Sequence, residues 1–243
     1  MYPSGDGTRS IPDVESILNL CVKSLEGADQ LTRKSLAKLA AHMLASTQIE
    51  RVIPVADTAK KGKKTQNQEE DEDIAPTPHI TTEEAKPIMT PTEMLLQLST
   101  HFNKPQSSRR TRVGIFDFYS ALLWYLGTGF VESSYALIVN HLMTEIVTNP
   151  RNTGSRYEVL FVRSLIEVVV RDLIGVRMLG EQAQISAIQE LSSTYLKRWP
   201  ALMPGQSAPN PLCLVIALRE VSGLLQQLGN APSPVQVNAS TLP

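Results

Sequence analysis

The sequence predicts an all-α protein whose helices pair into antiparallel hairpins that stack in a row. Apolar residues recur at helical spacing from Asp13 to Gly229, with one long polar interruption. No alternating apolar run bounded by turn residues competes with that pattern. Without the interruption, successive helix pairs are spaced by roughly 35–50 residues, as in HEAT or armadillo repeats. An α-solenoid is therefore the first prediction. A compact bundle of the same helices stays open, because both arrangements bury one stripe of each helix.

The first predicted hairpin lies within residues 1–49. Apolar residues at helical spacing mark a first helix that Gly27 ends. A second helix is predicted from about Asp29 to Thr47. The short turn between them predicts an antiparallel pair.

Residues 50–89 are predicted to be a disordered, charged insertion that contains several prolines. It carries the basic cluster Lys60–Lys64 and the acidic run Glu69–Asp73, and its apolar residues are sparse and unperiodic. Such a segment buries too little surface to offset an ordering entropy of roughly 1–2 kcal/mol per residue.

Three further hairpins are predicted in residues 90–230, followed by a loose tail over 231–243. Thr90, Pro91 and Glu93 form the pattern of a capped helix start. The next helix is predicted from about Ser108 to Leu126, ended by Gly127 and Gly129. Because its second half is apolar on nearly every side, we expect it to be buried between neighbours. The four remaining helices are predicted near residues 131–146, 157–175, 181–199 and 214–228. We expect Leu160 and Leu218 to lie in their core.

Groups with the spacing of a catalytic, cofactor or metal site are missing from the sequence. Three of the four histidines (His42, His101 and His141) lie on different predicted helices, and His79 lies in the insertion, whereas zinc needs three or four converging ligands. No serine has the flanking glycines of a nucleophile elbow. The sequence therefore predicts a protein with no enzymatic activity, no cofactor and no metal. Six glutamates are predicted to lie on solvated helix faces: Glu15, Glu26, Glu132, Glu145, Glu167 and Glu190.

Charge and cysteine content favour a cytosolic protein that does not bind nucleic acid. The formal net charge is −1, so no global field attracts phosphate. Cys21 and Cys213 occupy apolar helix positions and are predicted to be buried thiols in a reducing compartment. The most apolar stretch, Val159 to Ile174, is broken by charged residues, so no membrane-spanning helix is predicted.

One group of side chains is a candidate protein-binding site. Arg109, Arg110 and Arg112 crowd the start of a predicted helix, which is the unfavourable end of the helix dipole for cations. Binding of an acidic partner would explain this misfit, and so would simple exposure to solvent.

Several segments, in matching order, resemble one family across nearly the whole chain outside the insertion. The most specific segment is Leu179–Ile185. The others are Leu20–Gly27, Arg33, Ala37–Leu39, Arg112–Gly114, Glu132–Ser134, His141–Leu142, Asn149–Arg151, Glu190, Ala217–Glu220, Leu224–Leu228 and Ala231–Pro234. The family that they resemble comprises the very large HEAT-repeat accessory proteins of the trans-Golgi and endosomal type-1 clathrin adaptor, the HEAT repeat-containing protein five family and its fungal counterparts.

The resemblance implies a non-enzymatic scaffold that corresponds to an internal segment of a longer protein. Its implied partners are the clathrin adaptor complex and the adaptor's co-factors, with membranes contacted only through those partners. The implied work is protein localisation and endosome-to-Golgi retrograde transport, in the cytoplasm next to trans-Golgi and endosomal membranes. The alternative is another α-solenoid interaction scaffold, such as a nuclear transport receptor segment.

Overall fold

A computed structural model describes residues 11–48, 87–196 and 210–230, and every regular element within these ranges is a helix. The all-α prediction is therefore confirmed for this part of the chain. Most of the predicted insertion and the whole predicted tail lie outside the described residues, as do residues 197–199 at the end of the seventh predicted helix.

The helices follow the predicted order, and several continue in a wider turn. They are α1 (Ile11–Ser24), α2 (Gln30–Ser46), α3 (Pro91–Asn103), α4 (Arg109–Ser133), α5 (Tyr135–His141), α6 (Pro150–Thr153), α7 (Arg156–Glu167), α8 (Glu181–Leu191) and α9 (Pro211–Asn230). π-helical stretches continue α5 over Leu142–Val147, α7 over Val168–Met178 and α8 over Ser192–Leu196. Each π-helical turn has one more residue per hydrogen-bonded ring than an α-helix, so it rotates the side chains that follow.

Polar caps fix the helix starts that the sequence predicted. The Asp29 side chain accepts a hydrogen bond from the Thr32 amide at 2.7 Å and caps α2. Thr90 and Glu93 form a reciprocal capping box at α3, with Pro91 in the first turn. Ser108 caps α4 by accepting from the Thr111 amide. These interactions are local in sequence, so sequence patterns predicted them well.

Gly127 interrupts α4 close to where the helix was predicted to end. Its φ of 83° lies in the left-handed region, which glycine adopts without the steric penalty of a Cβ atom. The chain then returns to helical geometry as far as Ser133. Gly127 is therefore a kink between two helical segments.

Contacts between helices follow the order of the chain. α1 packs on α2, α3 on α4, and α8 on α9, while α7 contacts the continuation of α5. α2 also packs on α4, α4 on the continuation of α7, and that continuation on α9. On the other side, α3 contacts α5, and α5 contacts α8. Within the described ranges, the first hairpin makes no substantial contact with α8 or α9.

The core lies mainly around α4, where large side chains are fully buried. Phe118, Tyr119 and Leu122 of α4 meet Phe102 of α3 inside it. Close packing is tightest at Gly114, where an added Cβ atom would lie 2.6 Å from a Leu25 methyl group. The absence of a side chain at residue 114 therefore lets α4 approach the end of α1.

Four apolar side chains that the sequence placed inside lie on the surface. Leu160 is 41% exposed and Leu218 is 50% exposed, so the expectation that they lie in the core is wrong. Trp124 and Tyr125, in the half of α4 predicted to be buried all round, are 63% and 54% exposed. These helices carry adjacent apolar stripes, and periodicity does not distinguish the stripe that packs inward.

Two further residues differ from expectation in their burial. Glu167, predicted to be solvated, is buried. Met89, the last residue of the predicted insertion, is buried too, and its carbonyl accepts a hydrogen bond from Gln48 Nε2 at 2.8 Å. The Ile88 amide donates to the Thr47 carbonyl, so the described chain is already packed against α2 before α3 begins.

One described helix meets a length and composition test for crossing a membrane. α9 contains an 18-residue window with a mean hydropathy of 1.3, and 28% of that window is buried inside the protein. α4 and α5 with its continuation would pass together only as a pair bent by 113°. Core helices of soluble proteins pass the same test, so it does not by itself distinguish a membrane span from a core helix.

Candidate interaction site

The structure separates the three arginines that the sequence grouped as a protein-binding site. Arg112 is only 2% exposed, Arg109 is half-buried, and Arg110 is exposed. The three arginines therefore do not form one exposed group, because Arg112 is buried. Whether Arg109 and Arg110 contact a partner stays a prediction.

Arg112 forms the centre of a buried polar cluster that we name the Arg112 junction, made of Arg112, Asn152, Glu158, Phe102 and Phe161. Its guanidinium donates to Glu158 Oε2 at 2.6 Å and to Asn152 Oδ1 at 2.7 Å. The same group lies 4.4 Å from the centre of the Phe102 ring and 4.9 Å from that of Phe161. Burial lowers the pKa of Arg112, and the hydrogen bond from Arg112 lowers the pKa of Glu158. The junction ties α3, α4, α6 and α7 together.

Carboxylates from other helices resolve the electrostatic misfit at the start of α4. Glu26, just after α1, accepts hydrogen bonds from the Ser108 and Thr111 hydroxyls at 2.5 and 2.8 Å. These two contacts lower the pKa of Glu26. Arg109 lies 3.7 Å above the Tyr157 ring and 3.4 Å from Glu158. Anions therefore surround the arginines at the positive end of the helix.

Asn152 is a structural residue that sequence reasoning missed. It is fully buried, and its side-chain amide donates to the Ile146 carbonyl at 2.7 Å and to Asn103 Oδ1 at 3.1 Å. Asn103 in turn donates to the Glu145 carbonyl at 2.8 Å. The only local signal is the Asn149-Pro150 helix start before it, where Asn149 caps the short α6. The partners of Asn152 lie six to 49 residues away in sequence, so no local pattern reveals them.

A second charged group, which we name the Glu220 cluster, joins α7 and its continuation to α9, and its two glutamates are buried. It consists of Glu167, Arg171, Arg219 and Glu220. Arg219 pairs with Glu167 at 2.7 Å, and Arg171 with the adjacent Asp172 at 3.1 Å. Glu220 is 1% exposed, and its Oε1 has no hydrogen-bond partner among the described residues. Burial raises the pKa of Glu220 to about 8.

Among the described residues, the histidines and cysteines do not come together in one cluster. Tyr119 Oη lies 2.9 Å from His141 Nε2, and burial lowers the pKa of both His101 and His141 to about 4. Cys21 and Cys213 are buried free thiols, as predicted. No group of three or more His, Cys, Asp or Glu side chains in the described ranges could hold a metal ion.

A long groove runs between α5 and α8, and we name it the α5–α8 groove. It consists of adjoining cavities of about 730, 630 and 290 Å³. The first and second cavities share Ala136 and Glu190, and the second and third share Asn140 and Tyr195. Thr92 and Leu96 of α3 line one edge. Since neighbouring cavities share lining residues, they form one continuous surface depression.

The floor of this groove is apolar, and its charged residues are all acidic. Leu137 and Leu191 contribute to the floor, and the four carboxylates are Glu132, Glu145, Glu181 and Glu190. Among the described residues, no lysine or arginine lines any of the three cavities. His141 also lines the groove, but its lowered pKa leaves it neutral near pH 7.

Two glutamates of the groove have partners that fix their position. Glu132 Oε1 accepts from the Gly180 amide at 3.0 Å, at the start of α8. Glu190 Oε1 accepts from Thr194 Oγ1 at 2.9 Å. Tyr195 Oη is buried beside the groove without a hydrogen-bond partner in the described chain, and burial raises its pKa to about 12.

The comparisons with known proteins leave the family open. No protein-family model matches the chain, and no solved structure gives a significant match to it.

Proposed function

We propose that this protein is a non-enzymatic α-solenoid scaffold, of HEAT or armadillo type, in clathrin-adaptor-dependent vesicle traffic. Its work would be protein localisation and endosome-to-Golgi retrograde transport, next to trans-Golgi and endosomal membranes. The adaptor assignment rests on the sequence resemblance alone. The scaffold assignment has independent structural support.

The contact order of the helices is the observation that carries the scaffold proposal. The second helices α2, α4, α7 and α9 contact one another in sequence order, largely through the continuation of α7. The first helices α3, α5 and α8 form a parallel series. In a solenoid each repeat contacts only its neighbours, whereas a compact bundle brings its first and last hairpins together. The contacts of the described hairpins, each with its neighbours, support the solenoid proposal.

A direct binding experiment tests the adaptor proposal. The purified chain, immobilised through a tag, is incubated with purified type-1 clathrin adaptor complex and its co-factors, and in parallel with a GTP-loaded Ran-type GTPase. Saturable binding of the adaptor or a co-factor, without the GTPase, is expected. Binding of the GTPase alone would favour a nuclear transport receptor segment and would contradict the adaptor proposal.

Localisation gives a second, independent readout. A fluorescent fusion of the full chain is expected to overlap with the adaptor at trans-Golgi and endosomal structures, and to disperse when the adaptor is depleted. A distribution of the fusion protein that does not change on adaptor depletion would contradict the proposal that partners bring this protein to the membrane.

A further inference from the structure

The α5–α8 groove has the shape and charge to accept a segment of another protein. We propose that it binds a basic segment of a partner protein, in which lysines or arginines alternate with apolar anchor residues. This inference rests on the proposed scaffold function and deepens it by naming the chemistry of the partner. It does not depend on the partner being the clathrin adaptor.

The shape of the groove favours a polypeptide segment over a small ion. α8 and its continuation contain 11 and five residues. At 1.5 Å per residue they provide a wall roughly 24 Å long, enough for a short helix or an extended peptide. The carboxylates are distributed along this length and form no group that could hold a metal ion among the described residues.

The charge of the groove determines the charge that a bound segment should carry. Its four carboxylates face a lining without lysine or arginine in the described chain, although the whole chain has a net charge of only −1. Among the described residues, negative charge is therefore concentrated in the groove. It attracts cationic side chains and repels phosphate, which disfavours nucleic acid and anionic lipid as occupants.

The arrangement of apolar and acidic residues indicates how such a segment would bind. Leu96 is 44% exposed at the groove edge, and Leu137 is half-buried in its floor. These groups would cover apolar anchors, while Glu145 and Glu190, both half-buried, would pair with flanking cations. Partial burial makes such ion pairs less screened than fully exposed ones. The unpartnered Tyr195 hydroxyl adds a polar group beside the groove.

Fluorescence polarisation with a designed peptide tests the proposal on the full chain. The probe is a labelled peptide of about 16 residues, a length that matches the groove wall as a helix, with lysine at every fourth position and leucine before each lysine. Its charge-reversed counterpart carries glutamate in place of lysine. We expect saturable micromolar binding of the basic peptide, weakened by salt, and none of the acidic one. Failure of the native protein to bind the basic peptide would overturn the proposal.

Groove variants distinguish this site from other acidic surfaces. The double variant Glu145→Gln with Glu190→Gln is expected to weaken peptide binding roughly three- to tenfold, since it removes two partly exposed ion pairs. Asp172→Asn is the matched control, because it makes the same kind of change outside the groove and should leave binding unchanged. Equal binding by the native protein and the double variant would place the peptide elsewhere and overturn the proposal.

A steric variant tests the same groove without changing its charge. Ala136 is exposed and lines both larger cavities, so Ala136→Trp fills the groove without removing a buried contact. We expect peptide binding to fall by more than about tenfold through the resulting clash, whereas Ala136→Ser should bind normally. Circular dichroism and thermal melting confirm that each variant is folded. A folded Ala136→Trp protein with native affinity would contradict the assignment.

Two other occupants have their own signatures. If the chain's own lysines at positions 60, 61, 63 and 64 fill the groove, replacing them with glutamine should create peptide binding that the native chain lacks. If a second copy fills it, sedimentation should show a dimer that Ala136→Trp dissociates. Either result would overturn the assignment to a partner protein. Adaptor binding without groove-dependent peptide binding would overturn this inference alone, whereas groove-dependent peptide binding without adaptor binding would overturn only the adaptor proposal.

Discussion

The Arg112 junction and the Glu220 cluster both bury a charged side chain between helices, but they satisfy it differently. Arg112 donates to Glu158 and Asn152 within 2.7 Å and has aromatic rings around it, and of its three nitrogens only Nε has no partner among the described residues. Glu220 is buried to the same degree, its Oε1 also has no hydrogen-bond partner in the described chain, and burial raises its pKa to about 8. A buried charge with hydrogen-bond partners on other helices holds those helices in one arrangement. A buried carboxyl group with too few hydrogen-bond partners takes up a proton instead.

The largest expected effect is the loss of the Arg112 junction. Arg112→Met keeps much of the apolar stem but leaves Glu158 and the buried Asn152 without their partner. Breaking a buried ion pair on one side costs about 3–5 kcal/mol. We therefore expect the free energy of unfolding, measured by urea denaturation, to fall by about that amount.

Arg110→Met is the matched control for that prediction. Arg110 is exposed and donates only a long contact of 3.5 Å to the Glu26 carbonyl. Its substitution should change stability by no more than about 0.5 kcal/mol. Equal losses in the two variants would show that burial and pairing at Arg112 do not matter as described.

The Glu220 cluster should make stability depend on pH in the opposite direction to ordinary carboxylates. The pKa of Glu220 rises from 4.5 to about 8 on folding, so the folded state binds the extra proton between those values. Stability from this group is therefore present at low pH and is lost as pH rises toward 8. The expected loss between pH 5 and pH 8 is about 3 kcal/mol.

Glu220→Gln should remove most of this slope while filling the same space. The charged groups around position 220 are Arg171, Arg219, Glu167 and Asp172, so the comparison needs all four to be unchanged. Thermal melting from pH 5 to pH 8 provides the measurement. A native protein and a Glu220→Gln variant with parallel pH profiles would contradict the raised pKa.

The next largest effect tests which face of α9, the helix that carries Glu220, packs into the core. Leu224 is 3% exposed in the core, whereas Leu218 is 50% exposed. Leu224→Ala should lower the free energy of unfolding by about 2–3 kcal/mol, as expected for a large-to-small core substitution. Leu218→Ala should lower it by less than about 0.5 kcal/mol. The reverse order, measured by denaturation, would mean that α9 is rotated relative to this structure.

The smallest effect belongs to Glu158, the partly exposed partner of Arg112. Its pKa is lowered on folding, so its contribution is present above pH 4.5 and is lost as pH falls. Glu158→Gln should cost about 1 kcal/mol near pH 7, since the glutamine oxygen can still accept a hydrogen bond from Arg112 and residue 158 is partly exposed to solvent. The variant should also lose less stability than the native protein between pH 5 and pH 3. A larger acid loss in Glu158→Gln would reverse the sign assigned to the junction.

Sequence patterns predicted the features that depend on near neighbours. The capping box at Thr90 and the helix starts near Asp29 and Ser108 each depend on a few adjacent residues, and the structure has all three. Gly127 was predicted to end its helix and is a kink instead. The burial of Cys21 and Cys213 was confirmed as well. Local patterns did not predict the Arg112 junction, because Asn152 lies 40 residues and Glu158 lies 46 residues from Arg112 in the sequence.

The inward face of each helix also depended on distant parts of the chain. In α7 the predicted stripe included Leu160, but Val162 and Ile166 are the fully buried residues. In α9 the predicted core residue was Leu218, whereas Ile216 and Leu224 are buried. Two adjacent apolar stripes on one helix fit the helical repeat equally well, so only contacts with the neighbouring helices decide which stripe is buried.

By itself, the sequence determined that the described chain is helical, where most of its helices begin, and where α4 breaks. Those properties arise from hydrogen bonds and backbone preferences within a few residues. The tertiary structure alone decided that Arg112 is buried, that Glu220 retains a proton near neutral pH, and that acidic side chains line a groove between α5 and α8. Each of these depends on groups brought together from separate helices, since burial and electrostatic interaction are set by distance in space.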